Sequence, residues 1–340
     1  MEVQPEPVRP FPAPAGLVLP PGLVVRHPRR PGDYPEMNRV ANRLRQSLGD
    51  AFYTTVEQLA SYYETPGPRF DTDRDVAIIE AEDRFVGYAR TGIETRVDGI
   101  RVLEIVPFLD PEADLSLVFP AVLAILEHHA RELAAADPAP GTVLETFGGD
   151  RAPEREAMIQ AAGYVPIRHG YSMVRPTLDD LPDATLPEGL EIREVRPEHL
   201  RAIWDAGTEA FRDMWGWTEP SAADYARFLD EEAADTTLWR VAWDGDAVAG
   251  QVRSFINEEE NAATGRLRGY TEAISVRRPY RRRGLARALI AASFPLLRAR
   301  GMTEAALGVD TENVSGALRV YERCGYRPVS RSTTYRKPLD

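Results

Sequence analysis

The chain has 340 residues, of which 53 are acidic and 41 are lysine or arginine, so its formal net charge is −12. This length favours two domains over one. The negative charge argues against a general DNA- or RNA-binding surface, because domains of that class are usually basic. The lone cysteine, Cys324, excludes a disulfide framework and suits a reducing cytoplasm. The histidines show no metal-ligand spacing, and we expect no metal site.

The first 18 residues, MEVQPEPVRPFPAPAGLV, are rich in proline and lack apolar periodicity. They predict a disordered tail, or else a strap across another surface. They lack the charged and then apolar order of a signal peptide. Nowhere does an apolar run approach the length of a membrane span. We therefore expect a soluble, cytoplasmic protein without a membrane partner.

Three segments of the first half recur in the same order in the second half. Each pair shares its pattern of apolar residues and turns. The pairs are LPPGLVVR with LPEGLEIR, VAIIEAEDRFVGYAR with WRVAWDGDAVAGQVR, and GYVPIRHGYSMVRP with GYRPVSRSTTYRKP. The matched segments lie ~165 residues apart, a period that indicates duplicated domains rather than a solenoid.

The repeat predicts one domain over residues 19–178 and a second over residues 186–340. Residues 179–185, within a stretch rich in proline and aspartate, form the predicted linker. Strands alternate with helices late in each unit, which predicts an α/β fold with a mixed sheet.

The second half has a clear order of predicted elements. They are a strand over 190–195, helices to residue 231, a hairpin over 238–255, a strand over 268–276, a helix from 284 to 300, a strand over 304–309, a helix over 314–324 and a strand pair over 328–336.

The stretch SVRRPYRRRGLARAL, which begins at Ser275, joins a predicted strand to a predicted helix through a turn rich in arginine. A helix N-terminus offers N–H groups without helical partners and a positive dipole end. Gly284, at the start of the helix, lets a phosphate approach the backbone, and arginines add charge and bidentate geometry. A solvated face of salt bridges is the alternative, but the order strand, turn, glycine and helix favours a phosphate site.

Two motifs in this half resemble a known family. In the first, Arg281, Gly284 and Ala286 match the pattern [QR]-x-x-G-x-[GA], the acetyl-CoA-binding motif of the GCN5-related N-acetyltransferases (GNAT family). The second, DTENVSGALRVYERCGY, resembles the family's N-x-x-A-x-x-x-Y-x-x-x-G-[FY] helix, with Ala317 one position later than usual. By motif the resemblance covers residues 190 to 337, and it reaches the first half only through the repeat.

The resemblance implies two tandem GNAT-like domains, each a mixed, mostly antiparallel twisted sheet flanked by helices. A V-shaped opening between two parallel strands would hold acetyl-CoA, the cosubstrate. The backbone of Ile274, Ser275 and Val276 would pair with the pantetheine arm, and Asn313 would contact the arm or fix the strand beside it. The pyrophosphate would lie on the turn, on Arg281, Arg282, Arg283, Gly284, Leu285 and Ala286.

Acetyl transfer to an amine needs a neutral amine and a proton for the departing thiolate, and members of the family usually attack directly. Tyr321 is the candidate acid, since a phenol can donate a proton to the sulfur, although its helical stripe could simply be core. Glu272 is the candidate base, because it lies four residues before Val276 and should share a face with it. A salt bridge from Glu272 to Arg268 or Arg253 is the alternative.

The acceptor side is less specific in the sequence. Trp215 and Trp217 lie where members of the family shape the acceptor pocket, or they cap the core. Glu258, Glu259 and Glu260 could attract a cationic amine, but a solvated loop is the simpler interpretation of this run.

The corresponding turn of the first half has lost its basic character. VPFLDPEADLSLVF aligns with VRRPYRRRGLARAL, so Asp114 stands where the second half has Gly284. The acidic turn would repel a pyrophosphate. We therefore expect one active site, in the second domain, with a degenerate first domain that shapes the acceptor site or supports the fold.

The expected function is acetyl-CoA-dependent N-acetylation of a primary amine on a small molecule, by direct attack, in a bacterial monomer or homodimer without a nucleic-acid partner. A coenzyme A or acyl-CoA sensor with little catalysis is one alternative, and a nucleic-acid or ribosome-associated protein is another. The resemblance also leaves open a mycothiol-synthase-like acetyltransferase, because tandem members of the family include mycothiol synthase. Antibiotics, polyamines and protein N-termini are further acceptors.

Overall fold

The computed structural model describes residues 9–49, 53–182, 184–230, 235–312 and 316–339. The chain forms two compact units. The N-terminal unit comprises Met1–Ile167 and Ser332–Asp340, and the C-terminal unit comprises Arg168–Arg331.

Both halves of the chain contain strands and helices. The strands are β1 (Leu23–Arg26), β2 (Val76–Ala81), β3 (Arg84–Thr95), β4 (Arg101–Leu109), β5 (Val143–Gly149), β6 (Val165–Arg175), β7 (Glu191–Arg193), β8 (Arg240–Asp244), β9 (Ala247–Ile256), β10 (Arg268–Val276), β11 (Glu304–Asp310) and β12 (Arg327–Pro338). The α-helices are α1 (Tyr34–Ser47), α2 (Val56–Glu64), α3 (Thr72–Asp75), α4 (Leu115–Ala136), α5 (Pro153–Ala161), α6 (Leu200–Phe211), α7 (Ala222–Asp230), α8 (Glu258–Thr264), α9 (Leu285–Ala299) and α10 (Ala317–Arg323).

In the N-terminal unit the sheet runs β1-β2-β3-β4-β5, and residues 332–338 of β12 pair with β5. Neighbouring strands are antiparallel except β4 and β5, which are parallel. Apolar residues of α4 and α5 pack on one face of this sheet, and those of α1 and α2 pack on the other. The sheet is therefore buried between helices on both faces.

The C-terminal unit has the same plan. Its sheet runs β6-β11-β10-β9-β8-β7, and only β10 and β11 are parallel neighbours. Helices α9 and α10 contribute to the core on one face, and α6 and α7 contribute to the core on the other. The predicted fold class, a mixed and mostly antiparallel sheet flanked by helices, is confirmed.

The compact units differ from the predicted domains, 19–178 and 186–340, at two strands. Residues 170–175 of β6 pair with β11 of the C-terminal unit, and residues 332–338 of β12 pair with β5 of the N-terminal unit. These two strands are the matched segments GYVPIRHGYSMVRP and GYRPVSRSTTYRKP. Because both carry the same strand pattern, either can complete either sheet, and only the hydrogen-bond register decides which.

Smaller differences concern the ends of the predicted elements. Residues 1–8 of the predicted tail and residue 183 of the predicted linker lie outside the described residues. The strap alternative agrees with Phe11, which is buried and donates its N–H to Val25 O at 3.0 Å. The predicted strand pair over 328–336 is one strand, β12, and residues 258–260, considered a solvated loop, begin helix α8.

Candidate active site

The two parallel strands of the C-terminal unit separate part of the way along their length. β10 and β11 pair at Arg268↔Glu304, Gly269↔Ala305 and Tyr270↔Ala306, and no described pair follows. β10 continues to residue 276 and β11 to residue 310. A V-shaped opening therefore lies between them, at the end of the sheet where the arginine-rich turn begins.

A β-bulge lies on β10 beside this opening. Glu272 is in register with Arg253 and Ser275 with Gln251, so β10 has one more residue than β9 over this span. Ala273, inside the bulge, has a left-handed φ of 48°. The extra residue inverts the alternation of side chains. Glu272 and Val276 therefore lie on opposite faces, and the prediction that they share a face is wrong.

The backbone beyond the bulge is divided between β9 and the opening. Arg277 donates its N–H to Ala249 O at 3.0 Å, and antiparallel pairs alternate in their hydrogen bonding. The backbone of Ser275 is therefore directed to β9, whereas Ile274 and Val276 face the opening. One of these groups already has a partner, since Val276 O accepts a hydrogen bond from Arg281 Nε at 2.9 Å.

Helix α9 begins at the edge of the opening. Its N-cap, Gly284, has a φ of 84°, a left-handed conformation that favours glycine. Ala288 N–H donates to Gly284 O at 3.1 Å and opens the helical ladder. The amides of Leu285 and Ala286 therefore have no acceptor within the helix. Gly284 is exposed, and no described atom lies within 4 Å of the position that a Cβ would take there.

Three of the five arginines in the turn hold it against the segment around α6. Arg277 donates to Glu209 Oε2 at 2.8 Å, and Arg281 donates to Asp213 Oδ2 at 2.7 Å. Arg278 also pairs with Asp213, and hydrogen bonds from the two arginines hold the pKa of Asp213 well below its usual value. The salt-bridge alternative thus describes these three side chains.

The other two arginines of the turn are exposed to solvent. Arg282 has a left-handed φ of 62°, and Arg283 donates to Glu188 O at 3.0 Å. Both side chains lie next to Gly284 and the first turn of α9. They are the cations of the turn that can reach a bound anion without leaving a carboxylate partner.

The candidate base lies at the opening, and the candidate acid lies in the core cluster against which Ile274 and Val276 of β10 pack. Glu272 Oε1 accepts a hydrogen bond from Gly308 N–H of β11 at 2.9 Å. Tyr321, on α10, is 7% exposed. Burial raises the pKa of its phenol above the usual 10.0, and the charge of Glu272 and the neighbouring Cys324 raise it further. The phenol is therefore protonated at neutral pH. The alternative partner Arg268 pairs with Glu304.

A buried hydrogen bond holds the ring that packs against Tyr321. Tyr326 OH and Thr271 Oγ1 are 2.6 Å apart, and both residues are buried. The rings of Tyr321 and Tyr326 meet edge to face at 6.4 Å. Tyr326 belongs to the motif in the sequence. Thr271 does not, and it pairs with Tyr326 because of its position on β10, where β10 separates from β11.

Asn313 lies outside the described residues. Cys324 is buried, and burial raises the pKa of its thiol to about 11, so the group is a protonated core residue rather than a nucleophile. Among the described residues no cluster of His, Cys, Asp or Glu has the composition of a metal site. No helix in the described part of the chain is long and apolar enough to cross a membrane.

The acceptor-side candidates separate into two groups. Trp215 lies under the guanidinium of Arg168, whose Cζ is 5.3 Å from the ring centroid, and Trp217 stacks on Phe211. Glu260 is buried and accepts a hydrogen bond from Tyr270 OH at 2.6 Å, so it holds α8 to β10. It is therefore a structural residue, whereas Glu258 and Glu259 are exposed.

The N-terminal unit has the same separation of parallel strands. β4 and β5 pair from Val102↔Val143 to Glu104↔Glu145, and no described pair follows. Groups of the chain itself fill the corresponding places. Arg155 is 4% exposed and donates to Pro107 O at 2.8 Å. The carboxylate of Asp114 accepts the N–H of Ser116 at 3.1 Å and caps helix α4. The helix N-terminus that would hold a phosphate thus already binds an anionic group.

The family profile described as "Acetyltransferase (GNAT) family" matches residues 201–326. The mycothiol acetyltransferase of Thermobispora bispora is 28% identical over 211 residues, which cover 61% of this chain and 70% of that protein. The protein of the same name from Salinispora arenicola is 30% identical over 54% of this chain and 60% of its own length.

Two solved structures share the fold over nearly the whole chain. The GCN5-related N-acetyltransferase from Sphaerobacter thermophilus superposes with a TM-score of 0.71 at 24% identity, and covers 95% of this chain and 97% of its own. A tandem GNAT protein from the clavulanic acid biosynthesis pathway has a TM-score of 0.64 at 16% identity and covers 94% and 98%. With the family match, these findings confirm the predicted fold and enzyme class. Residues 201–326 of the chain thus form a domain of the acetyltransferase (GNAT) family.

Proposed function

We propose that the protein is an acetyl-CoA-dependent N-acetyltransferase with one active site, in the C-terminal unit, that acts on the primary amine of a small molecule. The observation that carries the proposal is the separation of β10 from β11 beside the left-handed Gly284 and the start of α9. At this opening the strand backbone and the helix N-terminus can both contact one elongated ligand that carries an anionic group in its middle.

The coenzyme would contact backbone more than side chains. The groups of Ile274 and Val276 that face the opening are suited to the amides of a pantetheine arm. The amides of Leu285 and Ala286, the dipole of α9 and the exposed Arg282 and Arg283 suit the pyrophosphate. Arg281 supports the site from behind, because its guanidinium already binds Val276 O and Asp213.

The chemistry requires that the amine lose a proton and the sulfur gain one. In the proposed mechanism Glu272 accepts the proton of the ammonium, directly or through one water, and the neutral nitrogen attacks the thioester carbonyl. The tetrahedral intermediate collapses as the C–S bond breaks. Tyr321 gives its proton to the departing thiolate, and the second proton of the attacking nitrogen restores the phenol, so the products are the acetylated amine and the coenzyme thiol.

Two alternatives receive less support from the geometry. A sensor without catalysis would not need a base at the opening, and Glu272 lies there, bound to Gly308 of β11. A nucleic-acid patch would need free arginines, whereas Arg277, Arg278 and Arg281 are engaged with carboxylates.

The acceptor is proposed only as a class. Because the curated relatives carry the name mycothiol acetyltransferase, a cysteinyl amine on a sugar scaffold belongs in the set of acceptors to be tried. The proposal places the enzyme in the cytoplasm as a monomer or homodimer, since a lone buried cysteine thiol suits a reducing compartment.

Calorimetric titration with acetyl-CoA tests the coenzyme site. Ala286→Glu places a carboxylate in the first turn of α9, where it favours the helix dipole but opposes a pyrophosphate. We expect one coenzyme per wild-type chain, and an affinity in Ala286→Glu reduced about tenfold or more by charge repulsion. Ala299→Glu, the same change at the exposed far end of α9, is the control. Equal affinity of both variants would contradict the proposal.

A further inference from the structure

A strip of the C-terminal sheet runs along β11 from the exposed Gly308 to the half-buried Asp310. Paired residues of neighbouring parallel strands lie on the same face of the sheet. The pair Tyr270↔Ala306 therefore places Glu272 and Gly308, each two residues further along its strand, side by side on that face. Asp310 follows on the same face, about 7 Å along the strand. A Cβ placed on the exposed Gly308 would lie 3.9 Å from Glu272 Oε1, with no other described side chain within 4 Å.

Arg168, two residues before the part of β6 that pairs with β11, lies at the far end of this strip. The register Asp310↔Gly170 puts Arg168 on the face of Asp310. Its Nε donates to Asp310 Oδ1 at 3.0 Å and its NH2 to Asp310 Oδ2 at 2.7 Å, so the pair is bidentate. The same guanidinium lies 5.3 Å from the ring centroid of Trp215. One side chain thus orients both a carboxylate and an aromatic ring.

The charges along the strip favour one class of ligand. Three carboxylates, those of Glu272, Asp310 and Glu312, lie with the guanidinium of Arg168, which contacts the latter two. Arg253 of β9 is in register with Glu272, and its guanidinium lies over the rings of Phe228 and Trp239, so the carboxylates still outnumber the guanidinium groups. The excess of negative charge attracts an ammonium and repels a ligand carboxylate. The aromatic face of Trp215 offers apolar area beyond the ion pair.

We infer that the acceptor lies over Gly308, with its amine at Glu272 and its other end against Asp310 and Trp215, and that Arg168 is the positioning residue that sets this far wall. The inference rests on the proposed function and deepens it. It names the acceptor class, an amine whose remote end, about 7 Å from the nitrogen, is neutral or cationic rather than a carboxylate.

The first test changes Arg168. Arg168→Gln removes the fork that holds Asp310 and the cation over Trp215, and we expect the KM for an amine to rise about tenfold because a charge-assisted pair is lost. The KM for acetyl-CoA should not change. Arg168→Lys keeps the charge but not the bidentate geometry, so its KM for the amine should lie between those of the wild type and Arg168→Gln.

The chain contains a matched control for this change. Arg193 also pairs with a glutamate, Glu191, and also lies over a tryptophan, with its Cζ 5.4 Å from the Trp243 centroid. Arg193→Gln should leave the acceptor KM at the wild-type value. An unchanged KM in Arg168→Gln, or an equal rise in Arg193→Gln, would overturn the inference.

The second test changes the ligand. The probes are Nα-acetyl-lysine methyl ester and Nα-acetyl-lysine, each with one primary amine and differing only in a remote carboxylate. Each is titrated calorimetrically into protein saturated with coenzyme A, and we expect the ester to bind more tightly. The difference should increase in Arg168→Gln, because the loss of the guanidinium makes the strip more negative. Absence of binding by both probes, or preference for the free acid, contradicts the inference. Failure of coenzyme A itself to bind contradicts the proposed function instead.

Discussion

The carboxylate of Glu272 accepts a hydrogen bond from the N–H of Gly308 at 2.9 Å, and so bridges the two strands whose separation forms the opening. A hydrogen bond from an amide favours the charged form of a carboxylate. The same bond fixes the orientation of the Glu272 carboxylate at the opening.

This bridge predicts the behaviour of Glu272→Gln. The glutamine oxygen can still accept from Gly308, so the fold and the affinity for acetyl-CoA should stay the same. Without a base, kcat should fall about 10²- to 10⁴-fold. Steady-state kinetics with calorimetry measure both quantities. Glu258→Gln, an exposed glutamate on α8, serves as control, and comparable kcat values for the two variants would remove Glu272 from the chemistry.

Tyr321→Phe should separate chemistry from binding. The ring is buried and packs against Tyr326, so phenylalanine keeps the packing and removes only the hydroxyl. We expect kcat to fall about 10²-fold through loss of the acid, with an unchanged dissociation constant for acetyl-CoA. Product formation under single-turnover conditions checks this, and a wild-type rate in the variant would exclude the phenol as the proton donor.

The raised pKa of Tyr321 also predicts a dependence of stability on pH. A phenol whose pKa in the folded protein is above the unfolded value of 10.0 contributes stability below that pH, and the contribution is lost as the pH rises through the folded value. Thermal unfolding between about pH 9 and about pH 11 should therefore show a steeper loss in the wild type than in Tyr321→Phe. Parallel curves would mean that the phenol does not differ between the two states.

The buried pair of Thr271 and Tyr326 should behave as a coupled unit. Thr271→Val leaves a buried hydroxyl without a partner and should cost about 1–3 kcal/mol of unfolding free energy. Tyr326→Phe should cost a similar amount, and the double variant less than the sum. Denaturant unfolding of all four proteins gives the coupling energy. Simple additivity would show that the 2.6 Å contact contributes little.

Asp213→Asn should loosen the arginine-rich turn without unfolding the unit. The carboxylate pairs with Arg278 and Arg281, and its removal should weaken acetyl-CoA binding several-fold because the turn loses its anchor. The effect should be smaller at high salt, where the wild-type pair is screened. Asp205→Asn, which loses an exposed pair with Arg201 on α6, is the matched control and should bind normally.

Much of the coenzyme site could be predicted from the sequence, because its features are local. A left-handed glycine, a helix with apolar residues at regular spacing and a preceding strand all lie within residues 268–299. The bulge on β10 could not be predicted, since it exists only relative to β9. The division of the arginines was also hidden, because Arg277 and Arg281 find their carboxylates 68 residues away in the chain.

The acceptor side shows the same limit more strongly. Trp215 was a candidate by its position, but its partner Arg168 comes from β6, a strand that the sequence repeat assigned to the other domain. Nothing in the sequence indicates that Gly308 lies exposed beside Glu272. Both became visible only from the register of β11 with its neighbours.

By itself, the sequence determined the family, the duplicated α/β pattern and the glycine turn at the start of α9, because each depends on residues that are close in the chain. The tertiary structure alone decided which strand completes each sheet, which face Glu272 occupies and which arginines are engaged. The physical reason is that hydrogen-bond register and ion pairing join residues far apart in sequence, and several arrangements satisfy the same local pattern until the sheet forms.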